Sequence, residues 1–327
     1  MATVDQYIHA ATRDNTRKSY QSAIEHFEVQ WGGFLPATAD SVARYLADHA
    51  GILAINTLKQ RLAALAQWHL DQGFPDPTKA PLVKKVLRGI RATHVTQEKQ
   101  ARPLQLSELE QLDTWLSQQI ILAASQGNRT LLLKHRRDRA LVLLGFWRAF
   151  RSDELSQLEI DHIDLIPSEG MRIFLPRSKT DRNHQGKTYA VPALSRLCPV
   201  TAYQEWIDES GLTAGPVFRS INRWGQISPA ALHPISIIPL LRGLLVTANI
   251  LDAERFSSHS LRRGFASWAN ASGWDLKTLM DYVGWKDARS AMKYIDTPDP
   301  FLQNRINKEL DSSTPKTLTI IPAEQHQ

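Results

Sequence analysis

The sequence predicts a mainly helical protein of two domains, the second carrying one small antiparallel β-sheet. Three observations predict it. The chain has 327 residues, too many for one ordinary domain and enough for two. Residues 1–94 show helical periodicity alone. Strand-like runs appear only at 163–166, 171–176 and 187–191, with helical pattern on either side.

The elements of the first domain follow from their caps and stripes. Asp14 or Asn15 caps a helix in which Tyr20, Ile24, Phe27 and Trp31 recur at helical spacing, and Gly32-Gly33 ends it. Thr38-Ala39-Asp40 opens a second helix with Val42, Tyr45 and Leu46 inward. Asn56 opens a third, over 57–72, with Leu58, Leu62, Leu65 and His69 on one stripe; Gly73 and Pro75 stop it. Pro81 suits the first turn of a fourth, which ends near Thr93. On this fourth helix Lys84, Arg88 and Arg91 share a face, with Lys85 beside them; Leu82, Val83, Val86, Leu87 and Ile90 lie mostly on another. Residues 95–104 lack apolar periodicity, contain Pro103 and read as a linker.

The second domain spans 105–310, with a tail at 311–327. Ser107 caps its first helix, with Glu110 at the capping-box position. A long helix follows over 131–150, then the three strands. After Pro199 the pattern is helical again, with turn-rich breaks at Gly215 and Trp224-Gly225.

Composition narrows the function. The apolar fraction of 43% is enough for real cores. The net charge of +6, with a pI near 9.4, favours a polyanionic partner. From Lys79 to Arg102 there are seven basic residues against one acid, Glu98, a surplus equal to the whole net charge of +6. A solvated basic face is the bland reading of that stretch. The absence of balancing acids favours DNA contact through Lys84, Lys85, Arg88 and Arg91. One cysteine, Cys198, excludes an intrachain disulfide and a Cys-based zinc site, and reads as a small packed residue. The first residues, Met1–Asp5, lack a basic and apolar signal, and no apolar run nears the roughly 18 residues of a membrane span. A soluble, cytoplasmic protein with no membrane partner is expected.

The chemistry sits in the second domain. His259 and Arg262 are three apart, so one helix face offers two donor systems to one anion. Gly284-Trp285 and then Tyr294 follow, and a tyrosine beside a bound phosphate is a candidate nucleophile. Upstream, Arg151 and Glu154 are again three apart, and Lys179 lies in the turn after the 171–176 strand. Singly, each has a duller reading: a helix-packing tyrosine, a core tryptophan, a solvated turn lysine, a surface Arg–Glu pair of little worth. Gly186-Lys187-Thr188 looks like the end of a phosphate-binding loop. Asp181 stands where its first glycine belongs, however, and a strand follows instead of a helix. No His pair has helical metal-ligand spacing.

In order, Arg151, Glu154, Lys179, His259, Arg262, Trp285 and Tyr294 resemble the tyrosine site-specific recombinases, and the form with Trp at the sixth position is most similar to the simple Cre-like members. The resemblance covers 105–310 well and the first hundred residues only in pattern. It implies a helical core-type DNA-binding domain at 1–94 and a catalytic domain at 105–310. It further implies Tyr294 as nucleophile forming a 3′-phosphotyrosyl link, with Arg151, Arg262 and Trp285 on the nonbridging oxygens. Lys179 then protonates the leaving 5′-oxygen, His259 accepts a proton or holds phosphate, and Glu154 orients the set. The link conserves bond energy, so no cofactor and no metal is expected. The implied partner is duplex DNA with short inverted-repeat sites, bound by a homotetramer on two sites. The implied outcome is deletion, inversion or resolution through a Holliday junction. An integrase of a mobile element, a type IB topoisomerase and a catalytically silent DNA-binding protein are the alternatives, and accessory proteins stay open. One departure precedes Arg151: Ala149-Phe150 stands where the family usually has Gly-Leu. Residues 301–310 read as a short amphipathic helix which, in relatives, is donated to the neighbouring subunit.

Overall fold

The computed structural model describes residues 6, 12, 14–94, 101–176, 185–292 and 294. The chain forms two compact units, Met1–Lys99 and Gln100–Gln327.

In the first unit, α1 (Asp14–Glu25) runs into a π-helical turn (His26–Gln30), followed by α2 (Ala39–Asp48), α3 (Ile55–Asp71) and α4 (Pro81–Thr93). Thr38 caps α2, its hydroxyl accepting from the Ser41 amide at 3.1 Å. Phe27, Val42, Tyr45, Leu46, Leu58, Leu65 and Val83 are buried together, the side chains that the apolar stripes place inward. His69 belongs to this stripe and is satisfied there. Its Nε2 accepts from the Ala37 amide at 2.8 Å, so Nδ1 carries the proton given to the Leu65 carbonyl at 2.7 Å. The third helix differs from expectation at its start. It begins at Ile55, one residue before Asn56, with no side-chain cap from Ala54.

The second unit contains α5 (Leu106–Ser125), α6 (Arg129–Trp147), α7 (Ser152–Ser156), β1 (Ile163–Ile166), β2 (Gly170–Leu175), β3 (Lys187–Pro192), α8 (Pro199–Ser210), β4 (Arg219–Ile221), β5 (Ile227–Ala231), α9 (Pro234–Thr247), α10 (Ser258–Ala271), α11 (Leu276–Val283) and α12 (Ala288–Met292). The sheet is antiparallel in the order β1-β2-β3, with Ile173 opposite both Ile163 and Tyr189. Met171, Ile173 and Leu175 alternate into the core, joined by Tyr189 and Val191. Helix α6 is the centre of the unit, with Leu133, Ala140, Leu141, Leu143, Leu144 and Phe146 buried.

Several features of the second unit differ from the sequence reading. Part of the expected linker is docked: the Arg102 amide donates to the Arg255 carbonyl and the Leu104 amide to Ser260, each at 3.0 Å, and Leu104 is fully buried. This strand of chain crosses α10 at Gly264, where a Cβ would lie 2.0 Å from the Leu104 carbonyl. Docking also moves the cap of α5. Gln105 is its N-cap, and the Gln105 amide donates to Glu108 at 2.9 Å; the expected Glu110 pairs with Arg196 instead. A second sheet, the β4–β5 hairpin, flanks the expected turn at Trp224-Gly225, where the sequence reading placed no strands. Finally, α6 starts at Arg129, capped by Asn128, and stops at Trp147 rather than 150. Cys198 does more than pack: its Sγ caps α8 by accepting from Thr201 and Leu194 amides at 3.4 and 3.3 Å. Burial raises the thiol pKa, and hydrogen bonding from the Thr201 side chain and from the Leu194, Thr201 and Val200 backbone outweighs it, leaving it below the usual value.

An aromatic cluster joins α6, α10 and α11. The Trp147 and Trp268 rings meet edge to face at 5.0 Å, and Phe265 stacks on Tyr282 at 5.1 Å, with Trp274 beside both Phe265 and Tyr282. The Tyr282 hydroxyl donates to the Trp147 carbonyl at 2.8 Å.

Candidate active site

The site is built on the ends of four helices. After α6 the backbone turns left-handed at Ala149, with φ of +52°, and sends Arg151 to the N-cap of α7. This is the position where the resemblance leads one to expect glycine, the residue for which such a φ costs nothing. The Arg151 amide donates to Glu154 Oε2 at 2.8 Å and its guanidinium to Oε1 at 2.6 Å. The Glu154 side chain is only 4% exposed, so this is no solvated surface pair.

Arg262 arrives from α10. Ser257 caps that helix, accepting from the His259 amide at 3.1 Å, and thereby fixes His259 in the first turn and Arg262 one turn later. Arg262 is 1% exposed. It donates to the Ala149 carbonyl at 2.6 Å and the Val283 carbonyl at 3.5 Å, and stands 3.8 Å from Glu154 Oε2. Two guanidiniums thus share one carboxylate, leaving an uncompensated positive charge in a dry place. Burial first, then the Arg151 charge, lowers the Arg262 pKa to about 10.

Helix α11 delivers Trp285. Gly284 ends it in the left-handed region, φ +78°, and the Gly284 and Trp285 amides both donate to the Met280 carbonyl, at 2.8 and 2.9 Å. The Trp285 ring centroid lies 5.0 Å from the Arg262 guanidinium and 5.2 Å from the Tyr294 ring. Its Nε1 is buried and has no hydrogen-bond partner among the described residues. The Tyr294 hydroxyl stands 3.3 Å from His259 Nδ1, and its ring 5.7 Å from the Arg262 guanidinium.

Of the sequence-predicted residues, Arg151, Glu154, His259, Arg262, Trp285 and Tyr294 therefore come together. Lys179 lies outside the described residues. Lys84, Lys85, Arg88 and Arg91 are all exposed on α4 in the first unit. Among the described residues no group of three or more His, Cys, Asp or Glu side chains could hold a metal, and no helix is long and apolar enough to cross a membrane. What the arrangement offers is an anion site of fixed cations and one N–H that cannot titrate, with a tyrosine hydroxyl and an imidazole at its edge.

The phage integrase family matches residues 119–299, more than half of the chain. This chain belongs to that family. It is a tyrosine recombinase, an enzyme of site-specific DNA recombination. It is similar to the integrase/recombinase xerD homolog of Selenomonas ruminantium, 29% identical over 310 residues, covering 92% of this chain and 87% of that one. It is also similar to the recombinase cre of Escherichia phage P1, 24% identical over 279 residues, covering 81% of this chain and 78% of the phage protein. Among solved structures the fold matches the Tn1549 transposon integrase in complex with circular intermediate DNA, with a TM-score of 0.59 and 16% identity over 94% of this chain and 97% of that one. It also matches the XerH site-specific recombinase bound to palindromic difH substrate, TM-score 0.54 and 17% identity, over 83% of this chain and 69% of that one.

Behind the candidate site lie two cations that sequence reasoning missed. Arg148 is 3% exposed, donates to the Tyr282 carbonyl at 2.6 Å, and places its guanidinium 4.0 Å from the Tyr282 ring and 4.7 Å from the Tyr189 ring. Lys187 donates to the Asp281 carbonyl at 3.4 Å; desolvation first, then the Arg148 charge, lowers its pKa. The available signal was an arginine closing an apolar helix end, Leu143-Leu144-Gly145-Phe146-Trp147-Arg148, with no acid at helical spacing before it.

Proposed function

We propose that the recombinase cuts DNA by attack of Tyr294 on a phosphodiester, forming a 3′-phosphotyrosyl link and expelling the 5′-oxygen. The observation that carries this reading is the surplus positive charge of Arg151 and Arg262 around Glu154, beside the Trp285 N–H, which has no partner among the described residues. Such a site favours the phosphorane-like transition state, in which charge builds up on nonbridging oxygens. Arg151 and Arg262 bind those oxygens with forked donors, and Trp285 adds a third. His259 receives the Tyr294 proton across the 3.3 Å contact, which tightens when substrate is bound. Lys179 gives a proton to the leaving 5′-oxygen. Glu154 orients both arginines and does not react.

Because the phosphotyrosyl bond keeps the energy of the bond it replaces, the liberated 5′-hydroxyl of a second strand rejoins it without a cofactor. We assign the first unit, through Lys84, Lys85, Arg88 and Arg91, to sequence-independent phosphate contacts. A homotetramer on two inverted-repeat sites, exchanging one strand pair at a time through a Holliday junction, completes the reading, with deletion, inversion or resolution as the outcome in the cytoplasm.

The test uses the DNA that flanks the gene, searched for inverted repeats of about one helical turn per arm. The wild-type chain should give a covalent adduct that survives denaturant. Tyr294→Phe removes one oxygen and should give none, while its affinity for the same DNA stays close to wild type. Normal adduct formation by that variant would overturn the assignment of the nucleophile. Products on a two-site substrate separate resolution and inversion from integration.

A further inference from the structure

We infer that Arg148 and Lys187 are positioning residues for strand cleavage, acting with Arg262 to hold the C-terminal carbonyls of α11 and so to fix the Gly284-Trp285 turn. This rests on the reading of Arg262 and Trp285 as phosphate ligands.

The last four carbonyls of any α-helix have no partner within it. In α11 these belong to Met280, Asp281, Tyr282 and Val283. Met280 is satisfied by the Gly284 and Trp285 amides. The next three each receive a cation: Asp281 from Lys187 at 3.4 Å, Tyr282 from Arg148 at 2.6 Å, and Val283 from Arg262 at 3.5 Å. The donors come from three different places, β3, the end of α6 and α10. Positive side chains are favourable at this end because the aligned peptide dipoles leave it negative.

Arg148 is the telling member. It is buried, forms no ion pair among the described residues, and never approaches the Glu154 carboxylate within ion-pair distance. Among the described residues its charge is met by the Tyr282, Tyr189 and Phe150 rings and by the helix end. A buried cation without a carboxylate is expensive to maintain. Here it ties the segment before Arg151 to the segment before Trp285. Arg262 makes the second tie between the same two segments, from Ala149 to Val283. Lys187 closes over the turn from the sheet, where a Cβ on Gly284 would sit 3.4 Å from its Nζ. The three cations therefore set the position of the Trp285 indole without all touching the phosphate.

The test is single-turnover adduct formation by the full chain at saturating DNA, with affinity and thermal midpoint measured alongside. Arg148→Gln keeps a donor and loses the charge; it should slow cleavage roughly tenfold or more, as small misplacements of donors do, with affinity little changed. Arg148→Lys should recover much of the rate. Trp285→Phe keeps a ring and removes the N–H. If Arg148 works through Trp285, the double variant Arg148→Gln/Trp285→Phe loses clearly less than the product of the two single losses. Wild-type cleavage by Arg148→Gln, or losses that simply multiply, overturns the inference. Should Arg148→Gln fail to fold, the exposed Lys187→Met carries the same cycle with Trp285→Phe: a shared loss supports the inference, and multiplying losses overturn it. If wild type itself forms no adduct, the recombination reading falls and this inference with it; adduct from wild type together with unaffected Arg148 and Lys187 variants removes this inference alone.

Discussion

Arg262 keeps its charge near neutral pH although burial lowers its pKa to about 10, and two carbonyls fix its direction, so on the proposed reading it meets an incoming phosphate without rearranging. Arg262→Lys keeps the charge and loses the fork that reaches both Ala149 and Val283. Loss of one preorganised donor commonly costs about 10²–10³ in rate, and single-turnover cleavage should fall by that order while the chain still folds and binds DNA. A wild-type rate from that variant would remove Arg262 from the phosphate. At this scale the site was largely legible, because the i, i+3 spacing of Arg151 with Glu154 and of His259 with Arg262 survives as real geometry on α7 and α10. The sequence marks Arg148 only as an arginine at an apolar helix end, and its role was not legible for a physical reason. Its partners are ring faces from β3 and α11 and one backbone carbonyl of α11, and no spacing in the sequence near Arg148 encodes them.

Elements with strong periodicity were legible, and elements defined by what docks on them were not. Helices α1 to α4 follow from stripes such as Leu58, Leu62, Leu65 and His69. The hairpin β4–β5 was missed because it is short, largely exposed and contains Pro229, which leaves no alternation to read. The cap of α5 was missed because Gln105 takes the role only once Leu104 is docked against α10. One consequence at this scale concerns the contact between the turn after α1 and helix α2. His26 bonds the Tyr45 hydroxyl at 2.9 Å, with its ring 4.9 Å from that of His49. Burial, then the Arg61 charge, then His49, lower its pKa below 6.5. A folded-state pKa below the unfolded one means that the unfolded chain binds more protons in the window beneath about 6.5, so stability falls as pH drops through it. Thermal unfolding followed from pH 7.5 to 5 should show a steeper loss for wild type than for His26→Gln. Parallel curves would mean that His26 is free to charge in the folded state.

For the whole molecule, two units were expected from chain length and from the aperiodic stretch at 95–104, and the chain divides at Lys99 and Gln100; the basic surplus was readable from charge counting. Lys84, Arg88 and Arg91 all face solvent on α4. If they contact phosphates, replacing all three with Ala should flatten the slope of log affinity against log salt by roughly 0.9 per lost contact. An unchanged slope in a gel-shift titration would leave them a solvated face. The proposed assembly helix at 301–310 lies outside the described residues, as does the tail, and truncation after Pro300 with sedimentation of two-site complexes tests its role in the tetramer. The aromatic cluster of Trp147, Phe265, Trp268, Trp274 and Tyr282 has one more use. Indoles held edge to face at 5.0 Å, in a fixed asymmetric setting, couple optically. They should give the recombinase a strong near-ultraviolet circular dichroism band that vanishes when packing loosens even while helices persist. The band would report, in the same cuvette as the DNA, whether α6, α10 and α11 are locked together, so that a variant which has lost its catalytic geometry can be told by its spectrum from one which has lost its core.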